Sequence, residues 1–87
     1  MKYAVITGTL YFKDHERTEQ MTIRLKEELK NGDEKKQVEE FIISYRNVMK
    51  YVNMDDFLYL LINSVSIDTV LGQHIRKEEL DVSKLDI

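Results

Sequence analysis

Phe57-Leu58-Tyr59-Leu60-Leu61-Ile62 is the densest apolar run in this chain, and whatever fold forms must cover it. Six consecutive apolar residues fall far short of the roughly 20 needed to span a bilayer as a helix. The run therefore belongs to a core. With Asn53 before it as a cap, and Asp55 and Asp56 suited to a first helical turn, it reads as a buried helix over about 54–64. Apolar side chains on more than one side place that helix in the middle of the fold.

The neighbouring segments have clearer periods. Between 33 and 52, Val38, Phe41, Ile42, Tyr45, Val48, Met49 and Val52 follow the i, i+3, i+4 spacing of a long amphipathic helix. Asn31-Gly32-Asp33 punctuates its start, with Gly32 free to take positive φ and Asp33 a good N-cap. Residues 3–12 are rich in β-branched and aromatic residues and read as a strand. Period-two sorting puts Ala4, Ile6, Gly8, Leu10 and Phe12 on the core side, and Tyr3, Val5, Thr7, Thr9 and Tyr11 on the other. Gly8 marks a bulge or a close approach.

Residues 19–29 fit two periods. Met21, Ile23 and Leu25 alternate as in a strand, while Met21, Leu25 and Leu29 share a helical stripe. The strand is preferred, because Ile23 has no place on that stripe and strand 3–12 needs a partner for its backbone groups. This gives an N-terminal β-hairpin of about 3–12 and 19–27. A third strand is expected at about 65–70, closed by Gly72. A polar C-terminal tail follows, with Leu80, Val82, Leu85 and Ile87 as its apolar anchors.

The expected class is α+β, in one small domain spanning 1–87, with 73–87 a candidate docking tail. At 87 residues the core is thin, so self-association is a cheap source of further stability. The sheet edge and the free hairpin face are its natural surfaces. The chain has no cysteine, which removes disulfides and thiolate metal sites. With no apolar leader segment in view, a cytoplasmic location without a membrane partner is the expectation.

The candidate chemistry is sparse. His15 and Glu19 are four apart, yet a catalytic zinc usually takes three protein ligands and no H-E-x-x-H is present. His74 has no acidic partner at a telling spacing. Asp55 and Asp56 diverge by about 100° on a helix and suit capping better than ligand binding. Thr7-Gly8-Thr9 lacks the Gly-Lys-Ser/Thr of a phosphate loop, and no nucleophile–base pair stands out. No enzyme activity, metal or cofactor is expected.

Two sets of residues remain as binding candidates. Tyr3, Tyr11, Arg24 and Lys26 combine rings with cations on the hairpin's non-core face. Asp68, Glu78, Glu79, Asp81 and Asp86 make the C-terminal portion acidic. Residues 53–87 hold three basic and seven acidic residues, within a net charge of −3 for the chain. That balance disfavours broad nucleic-acid binding, which needs clustered Lys and Arg. The expected function is a small regulatory protein that binds and masks or modulates another macromolecule. The composition also suits an accessory or inhibitor protein of a phage or mobile element. The alternatives are a binder of single-stranded nucleic acid or nucleotide through the hairpin face, and a small enzyme subunit. Tyr51 and Tyr59, off the core stripes, are further candidates for contact.

Overall fold

Strand and turn signals at the N-terminus produce the expected hairpin. A computed structural model describes residues 1–14, 17–53 and 56–87. Strand β1 (Lys2–Phe12) pairs antiparallel with β2 (Thr18–Arg24) in a register that sets Ile6 against Ile23 and Gly8 against Met21. The strand reading of 19–29 thus holds as far as Arg24. Beyond it, the N–H groups of Leu25 and Leu29 still donate to the carbonyls of Ala4 and Lys2. Helix α1 (Glu34–Asn53) follows the Asn31-Gly32-Asp33 punctuation, with Gly32 at φ 91°.

Asn53 does end α1, its side-chain amide donating to the Met49 carbonyl at 3.0 Å. That contact satisfies one of the carbonyls a helix C-terminus leaves open. The second helix expected after it does not form. Phe57–Leu71 is instead one long strand, β3, which absorbs both the expected buried helix and the expected third strand. Of the expected caps, Asp55 lies outside the described residues, and Asp56 leads directly into β3, its carbonyl accepting from Lys13 N–H at 2.8 Å.

The reason lies in the ladder. β3 pairs with β1 along nearly its whole length, and the register slips twice, between Thr7 and Gly8 and between Tyr11 and Phe12. Leu58 and Asn63 are the extra residues at these bulges. The buried apolar residues of β3 are therefore Phe57, Leu60, Ile62, Val65 and Ile67. Their alternating intervals of three and two break the period of a strand and imitate the spacing of a helix.

The polar tail is also ordered. A two-residue turn starting at Gly72, with φ 61°, leads into β4 (His74–Leu80), which pairs antiparallel with β3. A leading glycine at positive φ suits the primed turns of tight hairpins. A 3-10 turn at Val82–Lys84 follows, and Leu80, Val82 and Leu85 pack on the core as anchors.

The sheet order is β2-β1-β3-β4, all antiparallel, with α1 covering one face. Ala4, Ile6, Leu10 and Phe12 of β1 meet the buried residues of β3, Met21 of β2 and Val38 and Ile42 of α1. Each buried aliphatic side chain contributes about 1.5–3 kcal/mol. Phe41, Tyr45 and Met49 are half-buried at the margin, but Val48 and Val52, expected in the core, are exposed. The sheet meets only the centre of the apolar stripe, and these two residues lie on its flank and in its last turn.

Candidate functional site: the open face of the sheet

The face of the sheet away from α1 collects one alternation of each strand. Its rows run across the strands. Thr18, Tyr11 and Tyr59 form one end, then Gln20, Thr9 and Leu61, then Thr22, Thr7 and Ser64. The far end carries Arg24, Val5, Ser66 and Glu79, then Tyr3, Asp68 and Lys77.

The centre of this face is a polar network. Thr9 is only 6% exposed. Its hydroxyl donates to Gln20 Oε1 at 3.2 Å and accepts from Asn63 Nδ2 at 3.0 Å. The Thr7 and Ser64 hydroxyls bond to each other one row further on. Asn63 reaches Thr9 from the bulge position in β3, where the register slips.

Beside the network is an apolar end. Tyr11 and Tyr59 stack with ring centroids 4.6 Å apart. Tyr59 is 52% exposed, and its neighbour Leu61 is 49% exposed. Both stand on β3, a central strand. The apolar run is thus two-sided in fact: Phe57, Leu60 and Ile62 enter the core while Leu58, Tyr59 and Leu61 meet solvent.

The expected binding set does not form one cluster. Tyr3 and Tyr11 share the face, but eight residues of strand separate them by roughly 27 Å. Arg24 lies over the Tyr3 ring at 4.5 Å, so one cation–aromatic pair sits at the far end from the tyrosine stack. Lys26 follows β2 and lines a groove of about 720 Å³ between that segment and α1, where Ile23 and Phe41 contribute apolar surface.

The acidic set is dispersed as well. Asp68 is 9% exposed and accepts from the Ser66 hydroxyl at 2.8 Å. Glu78 pairs with Arg76 on the helix side of β4, while Glu79 faces the open side. Asp81 caps the 3-10 turn, and the Ser83 hydroxyl and N–H hold its carboxyl below the usual range. Asp86 donates its N–H to Glu39 on α1.

His74 begins β4 opposite Leu71 and is exposed, and His15 lies outside the described residues. No group of three or more His, Asp or Glu side chains suited to a metal ion gathers among the described residues, and no described helix is long and apolar enough to cross a membrane. Tyr51 is 86% exposed on α1. Burial, and then the Glu19 carboxylate, push the Tyr45 phenol above its ordinary pKa.

Sequence reasoning singled out Tyr11 and Tyr59 separately but missed Leu61 and the Thr9–Gln20–Asn63 network. Assigning Phe57–Ile62 to a helix hid the pairing of β3 with β1 on which both depend. Comparison with known proteins finds no matching family model, no matching curated protein and no matching solved structure.

Proposed function

We propose that this chain is a non-enzymatic interaction module that binds another protein through the open face of its sheet and so masks or modulates it. The observation that carries this reading is the exposure of Tyr59 and Leu61 beside Tyr11 on the two central strands. A solvated antiparallel sheet face normally carries polar residues. Apolar side chains grouped there mark a contact surface, and tyrosine is among the residues that anchor such surfaces. The partner would present an apolar anchor to this end of the face.

The competing nucleic-acid reading needs rings and cations together. Arg24 does lie over Tyr3, but it stands opposite Val5, six residues along β1 from Tyr11 and so roughly 20 Å from the exposed Tyr11–Tyr59 stack. That separation favours a protein partner. The acidic residues, spread over both sides of the sheet and the C-terminal turn, act through net charge, which changes association rate more than contact strength. A masking role of the kind found among phage or mobile-element inhibitors is compatible with this surface.

Site-specific photocrosslinking tests the reading. A photoreactive residue at Leu61 should trap one discrete protein from the source cell. The same residue at Lys35, on the solvated side of α1, should not. Equal labelling from both positions, or none from Leu61, overturns the open face as the docking surface.

A further inference from the structure

We infer that β2 is a dimerisation edge, pairing antiparallel with β2 of a second copy to form one continuous sheet. This is independent of what the open face binds.

The backbone directions come first. Leu25 N–H donates to the Ala4 carbonyl, and Ile23 and Met21 stand in the same alternation opposite Ile6 and Gly8. In an antiparallel pair alternate residues exchange both bonds with the neighbour. The odd residues of β2 therefore point their N–H and C=O groups at β1. Those of Thr18, Gln20, Thr22 and Arg24 point outward, and among the described residues no strand pairs with that edge.

Nothing in the strand blocks an incoming edge. Gln20-Met21-Thr22-Ile23 has no charge, no bulge and no proline. Lysine, proline and bulges are the usual devices that protect a sheet edge. The opposite edge has such protection: β4 places Arg76, Lys77, Glu78 and Glu79 in succession.

The occupant is a second copy because β2 can pair with itself with its outward N–H and C=O groups matched and no like charges opposed. Its charges are Glu19 near the start and Arg24 at the end. Antiparallel pairing about Met21 sets Gln20 against Thr22 of the partner, and Thr18 against Arg24 of the partner. Glu19 then faces Ile23 of the partner on the helix side and Arg24 faces Thr18 of the partner on the open side, so no like charges meet, whereas a parallel pair would align them. The same register covers Ile23, now half-buried, and juxtaposes the two Met21 side chains. Helix α1 lies closest to β3, which leaves the β2 side of the helix face open as the groove described above. Val48, 54% exposed, stands two helical turns from Phe41 on that flank and supplies further apolar surface. Two four-stranded sheets joined this way give eight strands and carry two open faces side by side.

Sedimentation equilibrium with Thr22→Pro tests the pairing. The Thr22 N–H points outward, so proline there removes no bond to β1, and it favours the extended conformation Met21 already has. The full-length chain should sediment at twice its mass of 10.4 kDa. The variant should sediment as a monomer with its circular dichroism preserved. A monomeric parent at micromolar concentration, or a folded variant that still dimerises, overturns the inference. Hydrogen exchange on the unaltered chain decides the matter even where the variant fails to fold. The Gln20 and Thr22 amides should be protected in the dimer and exchange at least about tenfold faster on dilution to monomer, with Met21 and Ile23 protected throughout. Rapid exchange of Gln20 and Thr22 at both concentrations rejects the pairing.

Discussion

The two faces of this sheet come from the same strands and differ in what closes over them. On the helix side, Ile6 and Val65 sit opposite each other beneath α1 and are almost wholly removed from water. On the open side, one residue along, Thr7 and Ser64 bond to each other and Tyr59 and Leu61 remain exposed. Stability is therefore concentrated on one face, and the apolar side chains on the other are free for contact. Their difference teaches that the apolar run in β3 exceeds what one core uses.

The strongest test of this division pairs one truncation on each face. Ile6→Ala should cost about 3 kcal/mol, from lost transfer energy and the cavity left behind. Tyr59→Ala should cost about 1 kcal/mol, chiefly its stacking with Tyr11. Chemical denaturation measures both, and equal losses would break the distinction between a load-carrying face and a contact face.

Gly8 sharpens the comparison at the point where β3 bulges. A Cβ there would lie 2.8 Å from the Leu61 carbonyl oxygen and 3.1 Å from Leu60 Cδ1. Since the carbonyl is backbone, it yields only if β3 shifts. Gly8→Ala should destabilise by about 2 kcal/mol despite alanine's lower chain entropy in the unfolded state. A neutral or stabilising result in thermal unfolding would show that β3 moves freely against β1.

The smallest effect is expected at the rim of the covered face. Glu34 pairs with Lys2 at 3.3 Å, tying the start of α1 to the start of β1. Its own backbone N–H, then Lys2, hold its carboxyl below the usual range. A lowered folded-state pKa gives stability that is present above the unfolded-state pKa and lost as pH falls through the folded value. Glu34→Gln should thus lower the melting temperature slightly at neutral pH, with the difference vanishing in acid. A difference that grows in acid would reverse the assigned sign.

Much of the architecture is legible in the residues. The β-branched character of 3–12 and the regular stripe from Val38 to Met49 identify β1 and α1, and the misfit of Ile23 to a helix identifies β2. The candidate site is less legible. Tyr11 and Tyr59 are both recognisable as residues outside the core, but their stacking depends on two bulges that no local pattern announces. The tail reads only as a polar docking segment because β4 is an edge strand exposed on both sides, so it lacks the alternation that burial imposes.

The sequence by itself determined the local elements whose burial repeats at one period: the hairpin, the long helix and the turns at Gly32 and Gly72. Only the tertiary structure decided the fate of Phe57–Ile62. Its leucines and its three-residue intervals agree with a helix, but β1 offers a complete row of backbone partners along its free side. Pairing satisfies those groups for both strands at once, and two bulges adjust the phase so that the core is still filled. Long-range hydrogen bonding thereby overrides local propensity. The run that first signalled a buried helix becomes a central strand serving the core on one face and contact on the other.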